Sequence, residues 1–254
     1  MDFLQLVLAG ALVGFAMGVT GVGGGALMTP FLLIIGYPAP VAVGTDLLYA
    51  AITKTGGAWT HHRSNHVVWP IVLYLAAGSI PAAIAMHWFV LDEQFQNSDL
   101  FEEILTRSLG VMLIATCLIL ILRNRLPRVS REYIRQSFFL TWVTGVFLGV
   151  CVTLTSVGAG AFGAAVLLML HSRISTVRIV GTDIAHAVPL TLIAGLGYMA
   201  QGFVDFVLLL SLLVGSMPGI HLGSLVSPLL PEKLLRLVLV TILGVLGTYY
   251  SIFI

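Results

Sequence analysis

The chain has 254 residues, of which 58% are hydrophobic and only 9% are charged, and its net charge is +1. Charged residues make up about a quarter of an ordinary soluble domain, so this composition excludes a soluble enzyme and a disordered chain. A net charge this close to zero excludes a nucleic-acid-binding protein, because there is no basic field to hold a polyanion. The composition predicts an all-α, polytopic membrane protein whose solvent is the lipid bilayer.

Ten apolar runs follow one another along the chain. Each is predicted to be a helix, because lipid requires that backbone hydrogen bonds be satisfied within the segment. The runs lie near residues 3–19, 24–36, 41–59, 67–91, 103–122, 136–154, 160–170, 177–200, 203–226 and 235–254. The second and seventh are shorter than the ~20 residues that a span needs. They are predicted to be short, glycine-interrupted helices, either half-helices or re-entrant segments.

The placement of charge predicts the orientation. Residues 123–135 contain five arginines and one glutamate, whereas residues 92–103 contain five acidic residues and neither Lys nor Arg. The positive-inside rule therefore places the arginine-rich segment in the cytoplasm and both termini on the external side. We expect an N-terminal transmembrane repeat at residues 1–122, a cytoplasmic linker at 123–135 and a C-terminal transmembrane repeat at 136–254.

The two halves share three motifs in the same order. They are GVGGGA at 21–26, VGTD at 43–46 and GSIP at 78–81 in the first half, and SVGAGA at 156–161, VGTD at 180–183 and GSMP at 215–218 in the second. The last two pairs have the same offset, so the stretches between them align without a gap. Because each half has about five segments, an odd number, the second half is predicted to cross the membrane in the opposite sense. Inverted repeats are typical of alternating-access secondary transporters, and a duplication with no transport role is the alternative.

Glycine clusters precede both short runs. They include Gly23, Gly24 and Gly25 in the first half and Ser156, Gly158 and Gly160 in the second. An unwound glycine stretch at the start of a half-helix exposes backbone N–H groups that attract an anion. Matched interruptions of this kind predict a substrate site near the membrane midplane. Close helix packing through small residues is the alternative, and both can hold.

Two aspartates lie at matched positions inside apolar runs. An ionisable group in the membrane is costly and is functional by default, so Asp46 and Asp183 are predicted to bind protons. The alternatives are that they accept hydrogen bonds from the glycine stretches, or that they cap the following helices beside Thr45 and Thr182. His186 follows Asp183 by three residues and shares its helical face, so this pair is predicted to relay protons.

Lys54 lies two helical turns after Asp46. It is predicted to meet an anionic substrate or to pair with Asp46, and snorkelling to the nearby surface is the alternative. Thr45 and Thr182, beside the two aspartates, complete the predicted substrate-binding set. The sequence has no set of side chains at a spacing typical of a catalytic site. We therefore predict no enzyme activity, no metal and no cofactor.

Four stretches of the chain resemble the sulfite exporter TauE/SafE family, also called the toluene-sulfonate uptake permease family. They read GVTGVGGGALMTPFLL, VGTDLLYAAITKTGGAWTHHR, GTDIAHAVPLTLIAGLGYMAQGFVD and GSMPGIHLGS, and the resemblance covers residues 5–250 approximately. It implies a permease of the bacterial inner membrane that moves sulfite, organosulfonates or related anions with the proton gradient and without a cofactor. A passive anion channel is the alternative, and the sequence leaves homo-oligomer formation open.

Overall fold

The computed structural model describes residues 3–20, 25–90, 99–122 and 134–252, and within them the chain forms ten α-helices and no strand. The helices are α1 (Phe3–Thr20), α2 (Gly25–Ile34), α3 (Ala39–Arg63), α4 (Trp69–Val90), α5 (Asp99–Leu122), α6 (Ile134–Thr155), α7 (Ala161–Leu170), α8 (Thr176–Ala200), α9 (Phe206–Val226) and α10 (Glu232–Ile252). The predicted all-α architecture is confirmed. Gly23, Gly24 and most of the predicted linker lie outside the described residues.

The helices fall into a long class and a short class. Six of those described are long and apolar enough to cross a membrane, namely α1, α4, α5, α6, α8 and α9. By contrast, α2 and α7 have ten residues each. At a rise of 1.5 Å per residue they extend about 15 Å, half of the hydrocarbon thickness of a bilayer. The two short runs therefore form short helices, as their lengths predict.

Pairs of helices join the two halves of the chain. In each pair one helix comes from the first half and one from the second: α1 packs along α9, α4 along α6, α3 along α8, and α5 along α10. Glycines bring the backbones together, since a Cβ at Gly14 would lie 2.6 Å from the Cα of Ser216. Both hydrophobic cores of the bundle contain residues from both halves.

The order of the close contacts gives the direction of each pair. Gly10 and Gly14 of α1 meet Leu212 and Ser216 of α9 in rising order, so these helices run parallel. Along α3 and α8 the order is reversed, because Gly44 meets Tyr198 whereas His61 meets Gly181. The end of the bundle where α3 ends and α8 begins is called the cavity end below, and the opposite end is called the far end.

Candidate functional site

The break between α6 and α7 lies against the start of α2. Ser156 has a left-handed φ of 58°, and Gly158 and Gly160 have φ of 128° and 139°. A Cβ at Gly25 would overlap the carbonyl oxygen of Ser156, so only glycine allows the two backbones to touch here. Gly25 and Ser156, one from each predicted glycine cluster, therefore meet inside the bundle.

A cavity of about 550 Å³ opens beside this break. Its lining includes Gly57 near the end of α3, Thr176 at the start of α8 and Ser227 after α9, so the cavity lies toward the cavity end. Among the described residues that line it, only Lys54 and Asp183 are ionisable. A volume of this size is sufficient for a small organic anion.

Lys54 reaches from α3 to the break. Its Nζ donates a hydrogen bond to the carbonyl oxygen of Ala159 at 3.0 Å. Asp183 and Asp46 both lie within Coulombic reach of its ammonium group. The ion pair formed by the described residues is Arg107–Glu103, at 2.8 Å, so neither aspartate is at ion-pair distance from Lys54. Lys54 therefore presents a positive charge at the cavity that a ligand can approach.

Asp183 is buried at the wall of the cavity. Its Oδ1 has no hydrogen-bond partner, and the backbone N–H of Gly160 lies close enough to interact with its carboxylate. A Cβ at Gly163 of α7 would overlap Oδ1, so this glycine makes room for the carboxylate. An unsatisfied buried oxygen is costly, and a proton or a bound ligand would relieve that cost.

Asp46 is also buried, but it does not line the cavity. Its Oδ2 accepts a hydrogen bond from the hydroxyl of Thr29 in α2, while its Oδ1 has no partner. Asp46 lies well inside α3, which begins at Ala39, and Asp183 lies at the equivalent depth inside α8, which begins at Thr176. The alternative that the two aspartates cap these helices is therefore wrong.

Thr45 and Thr182 contact connections between helices. The Oγ1 of Thr45 accepts a hydrogen bond from the backbone N–H of Asp205 at 3.2 Å, and that of Thr182 accepts one from Val68 at 2.9 Å. Both threonines are buried, and neither lines the cavity. They hold the starts of α9 and α4, and their role in substrate binding stays a prediction.

His186 lies one turn after Asp183 but faces α4. Its Nε2 is 2.8 Å from Oγ of Ser79, and its Nδ1 has no partner. Ser79 and the Ala159 carbonyl are partners of these residues that were not predicted from the sequence. A signal for Ser79 was present, because it belongs to the repeated GSIP motif. Nothing in the sequence indicated the Ala159 carbonyl, because any residue supplies one. In the part of the chain that the structure describes, no group of three or more His, Cys, Asp or Glu side chains could hold a metal ion.

Comparison with known proteins gives consistent matches. The family model described as "Sulfite exporter TauE/SafE" matches residues 6–250. A probable membrane transporter protein of Bacillus subtilis, YjnA, is 38% identical over 96% of this chain and 98% of its own length. A second one, YdhB, is 29% identical over 92% and 94%, and a probable membrane transporter protein of Methanocaldococcus jannaschii is 27% identical over 96% and 93%. No solved structure matches the chain.

Proposed function

The chain belongs to the sulfite exporter TauE/SafE family and is a membrane transporter rather than an enzyme, and we propose that it moves sulfite or an organosulfonate together with protons. The observation that carries this proposal is the cavity whose described lining holds one ammonium group, Lys54, and one carboxylate, Asp183. The proposed location is the bacterial inner membrane, with the arginine-rich segment in the cytoplasm.

The anion would bind at Lys54. The present acceptor of its hydrogen bond is a neutral carbonyl, Ala159, and a charged oxygen is a stronger acceptor for an ammonium group. The first N–H groups of α7 lack acceptors within their helix and carry the positive end of its dipole. Gly160 and Ala161, at this helix start, line the same cavity. The N–H groups of Gly163 and Ala164 already donate to the carbonyl oxygens of Gly158 and Gly160. A sulfite or sulfonate group at this place would therefore receive the charged donor of Lys54 and the backbone donors of Ala161 and Phe162.

Asp183 would couple the anion to a proton. In the empty site, its carboxylate is the counter-charge of Lys54 on the cavity wall. Once an anion pairs with Lys54, Asp183 has no counter-charge, and burying it in its charged form costs several kcal/mol. It would then take up a proton before the site closes. Among the described residues, the ionisable groups near this pair are Asp46 and His186, which both lie within Coulombic reach of Lys54.

The same two charges explain how the transporter changes conformation when no anion is bound. Closing the cavity without an anion buries the ammonium group of Lys54, which is costly unless a carboxylate neutralises it. A deprotonated Asp183 supplies that carboxylate. One anion and one proton would therefore move together, and the empty site would return as the Lys54–Asp183 pair.

Inverted repeats and alternating access are part of the proposal, and the helix contacts support them. If α1 to α5 exchange roles with α6 to α10 in order, the four main helix pairs become the same four pairs. Glycine contacts agree with this exchange, since Gly10 meets Leu212 and Gly145 meets Leu75 at equivalent places. The cavity would then face the cytoplasm in this state, because the cavity end carries the arginine-rich side of the predicted topology.

Sulfite flux into proteoliposomes tests the proposal. We expect flux to rise when a pH gradient drives protons in the same direction as sulfite. Lys54→Met should reduce flux at least about tenfold, since a charged hydrogen bond is lost, whereas Lys54→Arg should retain part of it. A passive channel would give flux that follows the sulfite gradient and the voltage, with no response to an imposed pH gradient at clamped voltage. That result would contradict the coupling.

A further inference from the structure

Residues that line the cavity have buried counterparts in the other half of the chain. Positions in α3 and α8 are equivalent when the two VGTD motifs are superposed, and positions in α2 and α7 when the two glycine motifs are superposed. Lining residues include Val180, Ile184, Ala164 and Lys54. Their counterparts, in the same order, are Val43, Leu47, Thr29 and Thr191, each at most 1% exposed. Equivalent positions are thus open at the cavity end and closed at the far end.

Long-range hydrogen bonds support this equivalence independently of the cavity. Thr45 accepts a hydrogen bond from the backbone N–H of Asp205, and Thr182 accepts one from that of Val68. The offset that relates Thr45 to Thr182 also relates Val68 to Asp205, so each bond is the counterpart of the other. The two halves therefore build equivalent contacts around α3 and α8, although only one side is open.

We propose that Thr29, Asp46 and Thr191 line a second face of the anion site, which is closed in this structure and opens at the far end when the cavity closes. This inference rests on the proposed function only in taking the transported anion as the ligand. Oδ1 of Asp46 and Oγ of Ser156 lie in this closed region without a partner in hydrogen-bond geometry, and the Ser156 hydroxyl is within reach of the Asp46 carboxylate. Unpaired buried polar atoms are costly, and opening to water or to a ligand would satisfy them.

The second face lacks a fixed positive charge. Thr191 is the counterpart of Lys54, and its hydroxyl donates to the carbonyl oxygen of Ala187 in its own helix at 2.8 Å. An anion would therefore meet an ammonium group from the cavity end and no cationic group among Thr29, Asp46 and Thr191 from the far end. The difference between a charged and a neutral hydrogen bond corresponds to about tenfold in affinity. We expect half-saturation of flux at about tenfold lower sulfite concentration from the cavity end than from the far end.

A matched pair of cysteine variants tests the second face. Val43 and Val180 are the same residue in the two VGTD motifs, and each is replaced by Cys in a chain that also carries Cys117→Ala and Cys151→Ala. A membrane-impermeant maleimide is added on each side of the vesicle membrane in turn. We expect V180C to react from the cavity end, and V43C to react only from the far end and more slowly. Thr191→Lys should speed V43C labelling and slow V180C labelling, because a buried ammonium group opposes closure of the far end. Thr191→Val is the neutral control.

Three results separate this inference from the proposed function. If V43C stays unlabelled from both sides, or reacts from the same side as V180C, while sulfite flux is intact, the second face does not exist and the transport proposal stands. Reciprocal labelling without flux of sulfite, with or without a pH gradient, would overturn the assigned substrate and support the second face. Labelling of V43C and V180C is measured in chains that keep Thr191. Failure of the Thr191→Lys variant to fold therefore does not affect the outcome.

Discussion

Val43 and Val180 occupy the same place in two VGTD motifs, yet Val180 lines a cavity of about 550 Å³ and Val43 is buried. The aspartates three residues later differ in the same way. Asp183 lies at the cavity wall beside Gly163, whereas Asp46 accepts a hydrogen bond from the hydroxyl of Thr29 and does not line the cavity. Two copies of one motif thus have different environments within one chain.

The two halves of the chain share some features around their VGTD motifs and differ in others. The hydrogen bonds of Thr45 and Thr182 to the starts of α9 and α4 are counterparts under the offset of the two VGTD motifs, and they support the proposed repeat of the scaffold. The charge is not repeated, because Lys54 corresponds to Thr191. We infer that the scaffold provides the movement, and that the unrepeated lysine provides affinity for the anion at one end.

Exchanging the unrepeated residues should have the largest effect. In the double variant Lys54→Thr and Thr191→Lys, the ammonium group moves to the far end. The half-saturation concentration of sulfite should rise about tenfold from the cavity end and fall about tenfold from the far end. Flux into right-side-out and inverted vesicles measures both values. Unchanged values at both ends would remove Lys54 from the anion site.

Substitution of Gly163 should have the next largest effect. A Cβ there would overlap Oδ1 of Asp183, so Gly163→Ala should displace the carboxylate and reduce net sulfite flux at least about tenfold. Gly56→Ala is the control, because a Cβ at Gly56 of α3 meets nothing within 4 Å. Equal flux in the two variants, at equal amounts of folded protein, would show that the position of Asp183 is unimportant.

Loss of the hydrogen bond between Thr29 and Asp46 should lower the stability of the protein. Thr29→Val removes the hydroxyl that donates to Oδ2 of Asp46, and should lower the free energy of unfolding by about 1–3 kcal/mol. Thr53→Val is the control, since the Thr53 hydroxyl donates to the carbonyl of Tyr49 in its own helix. Thermal unfolding in detergent compares them. A Thr29→Val protein as stable as Thr53→Val would indicate that Asp46 does not depend on this bond.

The smallest effect is expected at the two GSxP motifs. Oγ of Ser79 lies 2.8 Å from Nε2 of His186, whereas Oγ of its counterpart Ser216 has no partner within hydrogen-bond geometry and lies only within longer reach of the Tyr49 hydroxyl. Ser79→Ala should therefore cost about 1 kcal/mol of stability, and Ser216→Ala less than half of that. The same unfolding measurement applies. A larger loss for Ser216→Ala would contradict the assigned partners.

Much of the fold follows from the sequence because it depends on local pattern. Each of the ten apolar runs corresponds to a helix in the described residues. The short lengths of α2 and α7 could be predicted from the lengths of their runs. The pairing of Lys54 with the Ala159 carbonyl was not readable, since these residues are 105 positions apart and a carbonyl has no sequence signature. Nor could the sequence tell which aspartate faces the cavity, because the VGTD motifs are identical and the open end is a property of the whole bundle.

The central claim is that Asp183 is the counter-charge of Lys54 and the site of proton binding. Sulfite exchange and net sulfite transport by the Asp183→Asn variant test this claim most directly. With a neutral side chain at this position, the anion-loaded site can still close, but the empty site must bury Lys54 without its carboxylate. We predict that proteoliposomes containing Asp183→Asn exchange labelled for unlabelled sulfite at a rate near that of the unmodified protein, while net sulfite flux falls at least about tenfold and no longer responds to a pH gradient. Unchanged net flux with an intact response to the pH gradient would contradict the role of Asp183 as counter-charge and proton site.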